Sequence, residues 1–245
     1  MTVVGIISDI HLRQEHHDEI INTLLKIKEA YRCHHEISHT FVLGDLIQDA
    51  SPDLDRTHLE QVHSVFDDWV SPVTYLLGNH DIGTLSKEAV TSILDQPRSY
   101  GTVHVDGHPF VYLDSTDKNI GARGTIGIDQ RSWLENSLPS DAIVLSHHPL
   151  GPFSLRNNVW FQEYPERGHP WDRKETLKLL EGTTRATIGG HIHQQSQSQF
   201  KDMDHFSVNA VSKETPTNSV SGHFGMFSVG ESVDLQWRCV LDSGN

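Results

Sequence analysis

Cysteine is nearly absent: the 245 residues hold two, Cys33 and Cys239. A disulfide framework is therefore excluded as the source of stability, and a chain of this length can bury a core without one. Both thiols read as reduced, so the expected compartment is the cytoplasm. Long apolar runs are also missing. No stretch approaches the roughly 20 residues that a membrane span needs. The N-terminal residues carry no basic segment followed by an apolar one, so neither a membrane anchor nor a signal peptide is expected. Positive charge is scarce, with 19 Lys and Arg against 33 Asp and Glu, a net charge of −14 with His neutral. That field repels phosphate backbones, so long nucleic acid is not an expected partner. A small phosphorylated substrate stays admissible, because bound metal ions reverse the sign locally. There is no repeat, low-complexity tract or Gly/Ser linker, and residues 1–245 read as one domain. Nothing in the composition decides the oligomeric state.

Histidine is abundant, at 18 residues, but its position matters more than its number. Short apolar runs at Val3–Ile7, Thr40–Leu43, Val73–Leu77, Ala142–Leu145 and Arg185–Ile188 read as strands. Between them, helical spacing predicts helices over Asp18–Ala30, Leu59–Trp69, Ser86–Leu94, Ile128–Leu138 and Trp171–Leu180. Thr102–Val105 and Pro109–Leu113 form an expected hairpin around Asp106-Gly107. Phe206–Val208, Gly225–Val229 and Val233–Leu241 add strands near the end. The class is α/β, with a mixed sheet or two packed sheets flanked by helices.

Five of these strands end in chemistry-bearing residues: Asp9-Ile10-His11, Gly44-Asp45, Gly78-Asn79-His80-Asp81, His147-His148-Pro149 and Gly189-Gly190-His191-Ile192-His193. In open α/β sheets ligands bind beyond the carboxyl ends of strands, so the five sets can meet on one rim. Carboxylate, imidazole and amide oxygen together suit borderline or hard ions such as Mn, Fe, Zn or Co. Seven ligands are too many for one tetrahedral ion and fit two ions that share a carboxylate. Taken singly, Asp9, Asp45 and Asn79 could equally be helix N-caps.

In this order the motifs resemble the calcineurin-like metallophosphoesterases. Phe110 to Thr116, followed by Gly124 and Ile128 to Leu138, resembles more loosely the branch holding class III cyclic-nucleotide phosphodiesterases and glycerophosphodiesterases. The resemblance implies an α/β/β/α fold with two mixed sheets packed as a sandwich. It implies one metal on Asp9, His11, His193 and a bridging Asp45, and a second on Asp45, Asn79, His147 and His191. His80 would protonate the leaving oxygen, with Asp81 fixing its ring. The implied activity is two-metal hydrolysis of a small phosphodiester. A phosphomonoesterase or nucleotide phosphatase is the alternative within that chemistry, and a non-catalytic scaffold the alternative outside it. Asn79, His80, His148, Asn157 and Trp160 are the candidate substrate contacts. The last two lie in the irregular stretch from Gly151 to Pro170, which reads as a surface loop or as a lip over the metals.

Overall fold

An unbroken run of buried residues forms strand β1 (Thr2–Ile7), the pattern of a strand covered on both faces. The computed structural model describes residues 1–34, 37–212 and 220–240. Helix α1 (His17–Cys33) follows and buries Ile20, Leu24, Ile27 and Tyr31 as one stripe. Strand β2 (Ile37–Val42), helix α2 (Pro52–Phe66), β3 (Val73–Tyr75) and α3 (Lys87–Ile93) continue the alternation. Next come β4 (Gly101–Val105), β5 (His108–Leu113), α4 (Ile128–Ser137), β6 (Ala142–Ser146), α5 (Arg173–Leu180) and β7 (Thr184–Gly189). The described chain closes with β8 (Ser196–Phe200), β9 (Met203–Ser207), β10 (His223–Val229) and β11 (Val233–Cys239).

The strands form two mixed sheets, ordered β11-β10-β1-β2-β3 and β4-β5-β6-β7-β9-β8. In the first, β1, β2 and β3 are parallel and β10 joins β1 antiparallel. In the second, β5, β6, β7 and β9 are parallel, and β4 and β8 are antiparallel edges. The sheets share a core in which Val4, Ile6, Phe41 and Phe227 meet Phe110, Ile143, Leu145, Ile188 and Phe206. Helices α1, α2 and α3 cover the outer face of the first sheet, and α4 and α5 that of the second. The layer order is therefore the expected α/β/β/α. No described helix is long and apolar enough to cross a membrane.

Some boundaries differ from expectation for identifiable reasons. Helix α2 starts at Pro52 instead of Leu59. Its first turns are polar, and what starts it is capping chemistry: Pro52 at the first position, and the Asp55 carboxylate accepting the backbone N–H groups of Ala50 (2.9 Å) and Ser51 (3.3 Å). Strand β8 was not expected. Its sequence, Ser-Gln-Ser-Gln-Phe, has no apolar alternation, because it is a mostly exposed edge. Its turn, Lys201-Asp202 with φ of 53° and 60°, lacks the glycine that marks such hairpins. Leu241 of the last expected strand lies outside the described residues, which also omit His35.

Candidate active site

The parallel strands of the two sheets bring their carboxyl ends to one rim. Beyond β1, the Asp9 N–H bonds the Gly44 carbonyl at 3.1 Å and the His11 N–H bonds that of Asp45 at 2.9 Å. These two segments therefore run side by side as they leave the first sheet. Opposite them the Gly190 N–H bonds the His147 carbonyl at 2.9 Å, which joins the ends of β6 and β7. Asp9, His11, Asp45, His191 and His193 all have positive φ, between 46° and 63°. Such strain in residues other than glycine persists where the surroundings overdetermine it, and it gathers at functional sites.

The side chains converge. His11 Nε2 and His193 Nε2 face each other at 3.1 Å. Asp9 Oδ1 lies 3.2 Å from His193 Nε2, and Asp45 Oδ2 lies 3.6 Å from His11 Nε2. Asp45 Oδ2 also stands 3.3 Å from His147 Nε2, which is 3.3 Å from Asn79 Oδ1. The ring centroid of His191 is 5.0 Å from that of His147. Asp45 thus lies between two donor groups. Asp9, Asp45 and His147 are almost wholly buried, whereas Asn79, His80 and His193 are partly open to solvent.

Burial shapes the charges. It pushes His11 down to about 4 and His191 down to about 3, so both rings are neutral donors near neutral pH. Burial would lower His147 too, but the Asp45 carboxylate outweighs it and raises that ring to about 9. For Asp9 the penalty of burial is overcome by His193, which holds the carboxyl at about 2. Buried carboxylates require positive partners. Imidazole and carboxylate donors packed this closely are a set that divalent cations of the Mn–Zn series fit.

Two backbone carbonyls orient the rings. His147 Nδ1–H donates to Leu43 O at 2.8 Å, leaving Nε2 to face Asp45 and Asn79. His191 Nε2–H donates to Arg167 O at 3.0 Å, which frees Nδ1. Such contacts fix the tautomer a metal-binding histidine needs. The glycines beside the site permit close approach: a Cβ on Gly78 would lie 2.1 Å from Asp45 N, and one on Gly190 1.9 Å from Ser8 Oγ.

Not every expected role has the expected geometry. Asp81 does not hold the His80 ring. Its buried carboxylate accepts the N–H groups of Leu46 (2.7 Å), Ile47 (3.3 Å) and Gly78 (2.7 Å), tying two loops together. The ring is held by Asp49, whose carboxylate accepts a hydrogen bond from His80 Nδ1–H. Sequence reasoning missed Asp49, although it stands four residues after Asp45 in the same strand-end loop. Burial alone would lower the His80 pKa, but Asp45 and the Asp49 hydrogen bond raise it.

His148, a candidate substrate contact, is fully buried. Its Nε2–H donates to Ala122 O at 3.0 Å and its Nδ1 meets Ser115 Oγ at 2.8 Å, so the ring braces the wall. The Gly151 to Pro170 stretch lies against the site, with the Phe161 ring 4.9 Å from His191 and the Trp160 ring 6.4 Å from His193. Asn157 is exposed, and its neighbour Asn158 is the anchor, donating to Ile192 O at 2.7 Å.

A model of the calcineurin-like phosphoesterases matches residues 2–195, a span that includes every converging side chain. The chain belongs to that family. This calcineurin-like phosphoesterase is a metal-dependent hydrolase of phosphoric ester bonds whose site takes two metal ions, and the scaffold alternative falls. A curated relative, the manganese-dependent ADP-ribose/CDP-alcohol diphosphatase of Oryza sativa subsp. japonica, is 21% identical over 84% of this chain and 79% of its own. The crystal structure of a dimetal phosphatase from Danio rerio superposes with a TM-score of 0.78 at 15% identity, covering 98% of this chain and 96% of that one. A purple acid phosphatase from yellow lupin (Lupinus luteus) gives 0.62 at 14% identity, over 98% of this chain and 52% of its own. Both structures share the fold of this calcineurin-like phosphoesterase.

Proposed function

We propose that the protein hydrolyses a small phosphodiester, with Asp9, His11, His193 and Asp45 holding one metal ion and Asp45, Asn79, His147 and His191 the other. The supporting observation is the placement of the ring nitrogens: the Leu43 and Arg167 carbonyls accept from His147 Nδ1–H and His191 Nε2–H and leave the other nitrogen of each ring to serve a metal, His147 giving up its Nε2 proton when it does so. Two ions held by these residues would supply charge neutralisation at phosphorus and would lower the pKa of water toward about 7. The chain's own residues do the rest. Asp45 spaces the two donor groups. His80, with Nδ1–H committed to Asp49, presents Nε2 to the leaving alkoxide and gives it a proton. Asn79, His80 and His193 form the open side, from which the phosphate enters.

Trp160 stands just outside His193 with 68% of its surface exposed. It supports a substrate whose organic part is planar enough to stack there. The rice relative is named for ADP-ribose and CDP-alcohols, both nucleoside diphosphate compounds, so these join cyclic nucleotides and glycerophosphodiesters as substrates to test. The two cysteines are unpaired, which suits a reducing cytoplasm. One domain carries the whole reaction in this reading.

The test is turnover of bis-p-nitrophenyl phosphate beside p-nitrophenyl phosphate on metal-stripped protein, with Mn, Fe, Zn or Co restored singly. Metal-restored hydrolysis with the higher kcat/KM on the diester is expected. A higher kcat/KM on the monoester would replace this reading with that of a phosphomonoesterase.

A further inference from the structure

A cavity apart from the metal-site residues is lined by the end of the Gly151 to Pro170 stretch, by α5 and by the turn after β8. Its volume is about 490 Å³, within the range of about 300–1,000 Å³ typical of small-molecule sites. Arg123, Arg173, Lys174, Lys178 and Lys201 line it, with Glu166 as the single carboxylate among the described residues of its wall. Those five cations come from a chain with 19 in all and a net charge of −14, so the local sign is opposite to that of the whole. Arg173 is held by Leu150 O and Lys201 by Glu181. The others are less satisfied. Arg123 Nε is buried with no hydrogen-bond partner among the described residues. Lys174 and Lys178 sit four residues apart on α5, exposed, and neither has an ion pair among the described residues. Like charges at that spacing repel, and an anion between them would relieve the repulsion.

The same cavity carries exposed aromatic surface. Trp171 is 65% exposed and Phe200 43% exposed. The Arg123 guanidinium lies over the Trp171 ring, 4.1 Å from its centroid, and so begins a stack that a further planar group can extend. The Trp171 N–H is tied to Gly124 O at 3.0 Å, which sets the backbone of this platform. An aromatic platform beside unpaired cations suits a ligand that joins a planar ring to a phosphate.

We propose that this cavity is a second binding site, for a nucleotide whose base stacks at Trp171 and whose phosphate is held by Lys174 and Lys178. The site is physically joined to the metal centre. Ala122, next to Arg123, offers the carbonyl that braces His148, and Arg167, next to Glu166, offers the one that holds His191. His169 in the cavity wall also bonds Pro149 O at 2.9 Å. A nucleotide bound here therefore bears on the rings beside the metals, and the coupling runs equally in both directions. The binding site itself does not depend on which ester is hydrolysed.

The experiment is calorimetric titration of AMP, adenosine and inorganic phosphate into the metal-stripped full chain, its Trp171→Ala variant and the Lys174→Glu/Lys178→Glu double variant. Circular dichroism checks each fold, which these exposed positions should preserve. AMP should bind one to one. Each variant should weaken it by about tenfold or more, the scale of a lost base stack. Adenosine and phosphate should each bind at least about tenfold more weakly than AMP. Absence of AMP binding at millimolar concentration, or equal binding by all three proteins, overturns the site, and phosphate alone binding as well as AMP overturns the nucleotide assignment. Titrating Mn with AMP present then tests the coupling. The Mn affinity should change in the parent but not in the double variant, and an unchanged parent refutes the connection.

Discussion

Gly190→Ala is an economical way to disturb the metal centre without substituting a proposed ligand. The new Cβ would sit 1.9 Å from Ser8 Oγ and 2.7 Å from Asp9 Oδ2. Ordinary contact begins at 3.4 Å, so the hydroxyl must retreat by about 1.5 Å. It has nowhere to go, because Ser8 is fully buried and its hydroxyl already donates to Asp9 at 2.5 Å. Overpacking of this kind costs about 1–3 kcal/mol. At about 2–4 °C per kcal/mol for a chain of this size, the metal-free protein should melt about 2–12 °C lower. A second effect concerns the metal. Mn at a hundred times its Kd should stabilise the parent by about 2.7 kcal/mol for each of the two sites it fills. With Asp9 pushed aside, the variant should gain much less. Adding Ser8→Gly removes the worse clash and should recover part of the melting temperature, while the contact with Asp9 keeps the Mn response weak. If Gly190→Ala melts like the parent and gains the same Mn shift, the proposed packing of Asp9 against this turn is wrong.

His80→Ala should keep the Mn-induced thermal shift and lose about 10²–10⁴ in kcat on an ester with a poor leaving group; retained turnover would remove its acid role. Asp49→Asn should cut kcat by about 10–100-fold, the scale for groups that orient a functional imidazole, with little change in Mn affinity. A pH–rate profile identical to the parent's would count against that role. Trp160→Ala should raise KM for nucleoside substrates and leave bis-p-nitrophenyl phosphate nearly unaffected, and equal effects on both would contradict a base platform. Away from the metals, burial lowers His39 and His205 from 6.5 to about 4. The unfolded chain therefore takes up these protons first, so their contribution to stability is complete above about pH 6.5 and is lost as pH falls toward 4. Urea unfolding of metal-free His39→Gln should show a shallower loss over that window than the parent, and parallel curves would refute the assignment.

The rim was legible because a metal demands particular atoms at particular places, and Asp, Asn and His after five apolar strands leave that demand in the sequence. The framework was legible for a related reason: buried strands such as Thr2–Ile7 carry no polar face. What escaped detection was chemistry without a residue-type signature. The Leu43 and Arg167 carbonyls orient two rings, and any amino acid supplies a carbonyl. Asn157 and Asn158 are identical in type, and only the path of the loop decides that the second is the anchor. Asp81 follows His80 directly and so invites pairing with it, yet the turn sends its carboxylate to three backbone N–H groups while Asp49 arrives from the neighbouring loop.

The proposed ligands are drawn from both sheets. Asp9, His11, Asp45 and Asn79 follow strands of one, and His147, His191 and His193 follow strands of the other. Apolar side chains interdigitate between these layers and hold them by packing, which is not tied to any one pair of atoms. Ions gripped from both sides would act as rivets at one end of the sandwich, adding directed bonds to that packing. Chelation should therefore loosen the contact between the two sheets, and hydrogen exchange in the strands of both sheets should rise when the metals are removed.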